Sequence, residues 1–224
     1  MTDTKETERI RERSSKIQDL LIMTAHVIAA ALSVAALTLV IIFSSLKSDI
    51  WAIISGTVYG VTLVFMYAFS AIYHGKRGPG LLHIRRIIDC SMIYVFIGGT
   101  YTPIAICSIR SVEPSWGMIV FCAIWLAAAV STVLTAVNVR KYAMAAMTFF
   151  IIISWVALFA VRPITSFLPG PGIAWLISGE AAYTIGAGIY LLGRKHRITH
   201  SIFHLLVLAG NILQFICIIF YVVL

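Results

Sequence analysis

Long runs of hydrophobic residues, separated by short polar stretches, dominate the pattern of this chain. A hydrocarbon core of about 30 Å is crossed by roughly 20 helical residues at about 1.5 Å each. Seven runs reach that length, with approximate spans Leu20 to Leu46, Ile50 to His74, Ile87 to Ile109, Trp116 to Asn138, Tyr142 to Arg162, Gly172 to Gly193 and Ile198 to Leu224. The pattern therefore predicts seven transmembrane helices.

The runs are continuously apolar, which distinguishes them from the strands of a membrane barrel. Barrel strands are segments of about ten residues in which polar and apolar positions alternate. We therefore predict an all-α membrane protein, a seven-transmembrane helix bundle. Residues 20–224 form its single domain, because the loops are too short for a second one, and residues 1–19 form a short N-terminal arm of mixed charge.

The composition agrees with a polytopic membrane protein, since 60% of the residues are hydrophobic and 12% are charged. The positive residues orient the bundle. Fourteen of the 17 Lys and Arg flank the spans on one side, and only Lys47, Arg110 and Arg162 lie on the other. Cytoplasmic loops carry the excess of positive residues, so we expect a cytoplasmic N-terminus and a C-terminus outside.

The net charge of +8 indicates that the chain binds a negatively charged partner. Its positive residues are scattered through short loops next to the membrane, whereas a nucleic-acid site would group them in one patch. Anionic lipids of the inner leaflet are therefore the expected partners, and nucleic acid is not. The expected location is the plasma membrane, which the chain crosses several times.

Ionisable residues gather at one depth of the predicted bundle. The second span runs inward, so His74 lies at its cytoplasmic end and Ser70 lies one turn deeper. The third and seventh spans begin on that side, which puts Asp89, His200 and His204 in their first turns. Ionisable groups inside a bilayer are costly and usually mark a functional site.

This set of residues points to a metal. His200 and His204 are four residues apart, so both imidazoles share one face of the helix, and His74 supplies a third nitrogen. Three nitrogens and one open position are typical of catalytic zinc, which lowers the pKa of a bound water. Asp89 is a candidate general base or a residue that orients a histidine. Iron is the alternative metal, because two histidines and a carboxylate can form a facial triad.

Other polar residues of the spans carry weaker signals. Ser70 is a candidate catalytic hydroxyl, although serines also pack between membrane helices. Glu180 lies near the middle of the sixth span, where a carboxylate needs a partner or a cavity. His26 lies in the first span on the same inner side as the predicted site. His83 and His196 lie in charged loops and are assigned to the membrane interface.

Three ordered motifs of the chain resemble those of hemolysin III-related proteins, which belong with the progestin and adipoQ receptors. The motifs are Ser70 to His74, the run from Asp89 to Tyr94 that leads to Gly99 to Pro103, and His200 to Gly210. The resemblance covers all seven spans. It departs at Cys90, where the family often has histidine, and at Ile22 and Ala25, where it has polar residues.

The resemblance implies a seven-helix bundle with a cytoplasmic N-terminus. It also implies a zinc ion held by the histidines at His74, His200 and His204, with Asp89 in contact through water. The short termini are similar to those of bacterial members, for which the membrane would be the bacterial inner membrane. The family belongs with a wider group of membrane hydrolases that includes alkaline ceramidases.

Three classes of function remain open. The first, which we prefer, is a zinc-dependent hydrolase that cleaves an amide or ester of a membrane lipid at the inner leaflet and acts in membrane lipid homeostasis. The second is a receptor or regulator of membrane state in which zinc is structural and joins the second and seventh helices. The third is a pore or transporter, which would be expected to have broken helices and more polar residues along several spans.

Overall fold

The computed structural model describes residues 2–46, 49–75, 82–160, 164–193 and 197–224. Within these ranges, the side chains of residues 2–16, 19, 82, 160, 164, 197 and 200 lie outside the description. Seven long helices make up the fold. They are α1 (Thr2–Leu46), α2 (Ile50–Gly75), α3 (Leu82–Pro103), α4 (Pro114–Val137), α5 (Val139–Ala160), α6 (Gly170–Leu192) and α7 (Arg197–Cys217).

The helical class predicted from the sequence is confirmed, and so is the membrane character. Six helices of the described part are long and apolar enough to cross a bilayer. Their spans are Leu20–Leu46, Ile50–Gly75, His83–Val112, Pro114–Val137, Val139–Phe159 and Ser201–Val223. α6 is as long as the others but does not reach the same hydropathy, because it contains Glu180 and five glycines. A seventh span and the orientation of the termini stay predictions.

Two of the helices, α3 and α7, continue as π-helices, whose turns are wider than those of an α-helix. Pro103 is the last residue of α3, and the chain continues as a π-helix over Ile104–Ile109 and a final α-helical turn over Arg110–Val112. Because proline lacks an N–H and its ring clashes with the preceding turn, the helix opens locally at that point. α7 likewise continues as a π-helix over Ile218–Val223.

Helices that follow one another in the chain pack against one another, in the pairs α1 with α2, α2 with α3, α4 with α5 and α6 with α7. α3 also packs against α4, and α1 meets α7. The span that contains α3 is the most buried of the six. The core is built of large apolar and aromatic side chains that are fully buried, among them Tyr59, Phe96, Tyr101 and Phe150. Because α1 meets α7, the first and last helices of the domain lie side by side.

Candidate metal centre

Three histidines from three helices meet near one end of the bundle. His26 lies on α1, His74 at the end of α2 and His204 near the start of α7. Each offers a ring nitrogen, and the three nitrogens lie within 4.8 Å of one another. Nε2 of His26 and Nδ1 of His204 are 3.1 Å apart and hydrogen-bonded. These three residues are called the histidine cluster below.

The cluster is tight and shielded from solvent. The ring centroid of His204 lies 4.9 Å from that of His26 and 5.0 Å from that of His74, with the rings edge to face. His26 is 3% exposed and His204 is 7% exposed. Imidazole is a common metal ligand. The histidine cluster is therefore close enough to bind one metal ion.

The close contact of α1 with α2 brings His26 to His74. Gly56 faces Val40, Gly60 faces Leu37 and Gly75 faces Met23, so α2 runs antiparallel along α1. A Cβ on Gly60 would lie 2.9 Å from the Cα of Leu37, so only glycine permits this separation of the two backbones. Small residues allow membrane helices to approach in this way.

A carboxylate lies next to the α2 face that carries His74. Ser70, one turn before His74, forms a side-chain hydrogen bond with Asp89 of α3. Both side chains are buried, with Asp89 only 7% exposed. Arg86, one turn before Asp89 on α3, interacts electrostatically with its carboxylate. A buried carboxylate needs partners of this kind, and here it has a hydroxyl and a guanidinium.

The structure brings together some of the site residues that the sequence predicts. It brings His74 together with His204, and it joins Ser70 to Asp89. The side chain of His200 lies outside the described residues, as does all of His196, so the role of His200 stays a prediction. His83 is exposed near the start of α3 and is not part of the histidine cluster, and its assignment to the membrane interface stays a prediction.

Sequence reasoning gave His26 no role in the site, and the structure puts it inside the histidine cluster. The only signal in the chain was a histidine in the first span on the same predicted side as the other site residues. Its contact with His204 depends on the packing of α1 beside α7. That contact joins residues 178 positions apart, so no local spacing reveals it.

A ring contact and two hydrogen bonds connect the histidine cluster with the interior of the bundle. The rings of His26 and Tyr67 lie 5.8 Å apart. The amide of Asn211 donates to the Tyr67 hydroxyl at 2.6 Å and accepts a hydrogen bond from the Tyr183 hydroxyl at 2.7 Å. Asn211 lies seven residues after His204, two turns along α7. The inner face of α7 is therefore polar well beyond the histidines.

A second polar group surrounds Glu180 of α6. Ser154 of α5 donates a hydrogen bond to one carboxylate oxygen at 3.3 Å, and Gln214 of α7 donates to the other at 3.3 Å. Tyr101 of α3 also forms a hydrogen bond with this carboxylate. Glu180 is 2% exposed. Partners from three helices thus explain how the carboxylate is accommodated in the bundle.

The fold and the site together define an all-helical, multi-pass membrane protein with two buried histidines and one half-buried histidine that are close enough to bind a metal ion. A family model described as Haemolysin-III related matches residues 15–215. The chain therefore belongs to the haemolysin-III related family.

Two bacterial relatives agree with this assignment. The chain is 34% identical over 197 residues to a Bacillus cereus protein named Hemolysin-3, covering 88% of this chain and 88% of that protein. It is 31% identical over 198 residues to a Bacillus subtilis protein named Hemolysin-3 homolog, covering 88% of this chain and 91% of that protein. No solved structure gave a significant match. Together with the apolar helices, these relatives indicate a multi-pass protein of the bacterial plasma membrane.

Proposed function

We propose that the protein is a zinc-dependent hydrolase that cleaves an acyl amide or ester of a membrane lipid at the inner leaflet and so acts in membrane lipid homeostasis. One observation carries this proposal. The histidine cluster and the hydrogen-bonded pair of Ser70 and Asp89 occupy the same end of α2, one helical turn apart. A metal ligand beside a buried carboxylate is the combination that metal-assisted hydrolysis requires.

The donor set fits zinc. Zinc binds imidazole nitrogens at about 2.0–2.1 Å in tetrahedral geometry, so its ligands lie roughly 3.3 Å apart. The nitrogens of the histidine cluster already lie within 4.8 Å of one another. His200, which is one turn from His204 on α7, stays in the proposed ligand set with His74 and His204. When bound, zinc would polarise the substrate carbonyl and lower the pKa of a water molecule.

Asp89 is the proposed general base. It would accept a proton from the attacking water and then transfer it to the leaving nitrogen or oxygen. Ser70 has one hydroxyl proton, and its hydrogen bond with Asp89 uses that proton to hold the carboxylate in place. Ser70 is therefore proposed to position Asp89. Stabilising the oxyanion of the substrate would require the hydroxyl to break that bond.

We also propose that α6 is a seventh span and that the N-terminus is cytoplasmic. α6 has 23 residues and would extend about 35 Å, enough to cross the hydrocarbon core. Its polar Glu180 is buried among partners from α3, α5 and α7, so it does not face lipid. The proposed orientation rests on the fourteen to three bias of Lys and Arg across the two faces.

A receptor or regulator with a structural zinc is the second candidate. It is favoured by the fact that the histidine cluster joins α1, α2 and α7, so that a metal there would hold three helices together. If His26 were a fourth ligand beside His74, His200 and His204, four imidazoles would close the coordination shell, which is typical of structural zinc sites. The two candidates differ in one expectation. A hydrolase turns over lipid and needs Asp89 to do so, whereas a receptor or regulator with a structural zinc shows no turnover.

The test compares Asp89→Asn with the wild-type protein in vesicles that contain acyl-amide and acyl-ester lipids, with release of fatty acid measured by mass spectrometry. We expect zinc content and folding to be retained and turnover to fall by ~100-fold or more, because asparagine cannot accept the proton. Asp49→Asn, at an exposed position outside the site, is the matched control and should match wild type. Equal turnover in Asp89→Asn and wild type, or no turnover by any zinc-loaded protein, would favour the structural zinc.

A further inference from the structure

Glu180 is a buried carboxyl group that the proposed hydrolase does not use. It lies near the middle of α6, about 15 Å along the helix axis from the nearer end. Its side chain is 2% exposed. Ionisable groups at such a depth are costly and usually mark a functional site. A buried carboxyl group of this kind either has its charge balanced by a cation or holds a proton.

The side chains around Glu180 carry no positive charge. Tyr101 of α3, Ser154 of α5 and Gln214 of α7 form hydrogen bonds with it. Tyr183, one turn further along α6, is a second titratable neighbour beside Tyr101. No lysine, arginine or histidine is among the described side chains that act on this carboxyl group. The described part of the bundle therefore offers it uncharged hydrogen-bond partners alone.

The hydroxyl protons around the carboxyl group have acceptors elsewhere. The Tyr101 hydroxyl donates its one proton to the backbone carbonyl of Ser154 at 2.9 Å. The Ser154 hydroxyl lies 2.9 Å from the backbone carbonyl of Ile151 and 3.3 Å from the Glu180 carboxyl group, so the carbonyl is the better acceptor for its one proton. Both hydroxyls also contact the carboxyl group. While they donate to the carbonyls, a hydrogen bond in those contacts needs a proton from Glu180 itself.

The same contacts also accommodate an ionised Glu180. A hydroxyl hydrogen rotates to suit its acceptor, so Tyr101 and Ser154 can turn from the carbonyls and donate to a carboxylate. Gln214 donates an N–H to the other carboxyl oxygen at 3.3 Å, a bond that suits either form. Gain and loss of a proton therefore require the rotation of two hydroxyl groups and no displacement of a helix.

We propose that Glu180 reversibly binds a proton in the interior of the bundle, and that the hydroxyls of Tyr101 and Ser154 exchange donor and acceptor roles as it does so. In the protonated form the carboxyl group donates to the hydroxyls, and the hydroxyls donate to carbonyls of α5. In the ionised form the O–H bond of the carboxyl group has broken, the proton has passed to bulk water, and both hydroxyls donate to the carboxylate. Glu180 is not part of the histidine cluster, so this site does not depend on the proposed hydrolysis.

Infrared spectroscopy tests the site directly, because a protonated carboxyl group has a carbonyl band that a carboxylate lacks. Full-length protein in phosphatidylcholine vesicles is titrated with pH in potassium buffer. We expect a band that disappears reversibly as the pH rises and that is missing in Glu180→Gln. Asp89→Asn, which removes another buried carboxyl group, and Glu113→Gln, at an exposed position, should both keep it. A Glu180 band that stays constant at every pH, or no such band at any pH, would overturn the proposal.

Hydroxyl variants test the partners of the proton. Tyr101→Phe and Ser154→Ala should each move the midpoint of the titration to higher pH by about one unit, because each removes a bond that is stronger to a carboxylate than to a neutral carboxyl group. Thr184→Val is the matched control, since the Thr184 hydroxyl donates to the backbone carbonyl of Glu180 at 2.8 Å. It should leave the midpoint unchanged. An unmoved midpoint in both hydroxyl variants would contradict the exchange of roles.

Sodium is the competing ligand, because the oxygens of Glu180, Ser154 and Tyr101 can bind a metal cation as well as a proton. The N–H that Gln214 presents to the carboxyl group argues against it, since an amide hydrogen repels a cation. Replacing potassium with sodium at constant ionic strength separates the two ligands. We expect the midpoint of the titration to stay the same. A midpoint that falls by about one unit for each tenfold rise in sodium would show that the metal ion competes for the site, and would overturn the proton as its ligand.

Discussion

At the scale of single residues, the contact between His26 and His204 determines how the metal centre is understood. The two ring nitrogens are 3.1 Å apart, a distance that suits either of two arrangements. Both imidazoles can bind the same ion, or His26 can hold the ring of His204 in the orientation that binds the ion, as residues behind metal ligands commonly do. The two arrangements predict different zinc contents for a variant in which asparagine replaces His26.

We expect His74→Ala, His200→Ala and His204→Ala each to lose most of the zinc that purified wild-type protein contains, because each removes one imidazole ligand. His83→Ala, in which the exposed histidine is replaced, should keep full stoichiometry. Metal content measured by mass spectrometry of the purified proteins decides the matter. Retention of zinc in all three site variants would mean that the ligands lie elsewhere.

His26→Ala and His26→Asn distinguish a ligand from an orienting residue. We expect His26→Ala to lower zinc affinity by about 10- to 100-fold and His26→Asn to retain full stoichiometry, because with His74, His200 and His204 as ligands His26 orients the ring of His204. Asparagine keeps a side chain that forms hydrogen bonds with His204. If both variants lost zinc to the same extent, His26 would coordinate the ion directly, and the closed shell would favour a structural zinc.

At the scale of helices, glycines set the separations on which the site depends. Gly60 lies against the backbone of Leu37, and Gly188 of α6 has nothing within 4 Å of the position of a Cβ. The first glycine is needed for the contact of α1 with α2 and hence for the meeting of His26 with His74. The second is replaceable.

We expect Gly60→Ala to lower the free energy of unfolding and to weaken zinc binding, because the added methyl group pushes α1 away from α2. Overpacking of this kind costs about 1–3 kcal/mol. Gly188→Ala is the control. It should be neutral or stabilising by up to about 1 kcal/mol, since alanine is the better helix former. Denaturant titration in detergent with parallel metal analysis measures both effects, and equal stability of the two variants would contradict this account of the packing.

Glu180 connects α6 to its neighbours through hydrogen bonds. In Glu180→Ala, Ser154 and Gln214 each lose one acceptor and keep another, since Ser154 also donates to the carbonyl of Ile151 at 2.9 Å and Gln214 to that of Leu176 at 3.2 Å. We expect a loss of about 0.5–1.5 kcal/mol for each hydrogen bond that is removed. Glu180→Gln keeps an acceptor and the shape of the side chain, so we expect a loss below about 1 kcal/mol. Ile185→Ala, at an exposed position of the same helix, controls for loss of apolar contact. Identical unfolding of Glu180→Ala and wild type would show that these bonds do not stabilise α6.

The helices were more accessible to sequence reasoning than the contacts between them. The apolar runs predicted each of the long helices, and two of the predicted ligands, His74 and His204, lie in the histidine cluster. His26 was missed because its contact requires α1 and α7, the first and last helices, to lie side by side. Ser70 was assigned to the site, but its bond to Asp89 depends on the rotation of α2 against α3, which periodicity does not determine.

At the scale of the whole molecule, the site is concentrated at one face of the membrane. His26 lies six residues into the first span, His74 lies next to the end of the second and His204 lies three residues into the last. These positions are all within about 9 Å of the span ends along the helix axes. The fold thus brings together the start of the first span, the end of the second and the start of the last on one side of the bundle. The positive charge of the flanking loops determines which leaflet that side meets.

Fusions of a reporter enzyme that is active only outside the cytoplasm test both the orientation and the number of spans. We expect activity for a fusion after Leu224 and none for a fusion in residues 76–83, because positively charged loops stay in the cytoplasm. A fluorescent reporter that folds only in the cytoplasm should give the opposite pattern at the same two points. If α6 does not cross, Leu224 returns to the cytoplasm and neither enzyme fusion is active. If the enzyme is instead active at residues 76–83, the bundle is inverted and the histidine cluster meets the outer leaflet, which would contradict a hydrolase of inner-leaflet lipids while leaving the metal centre intact.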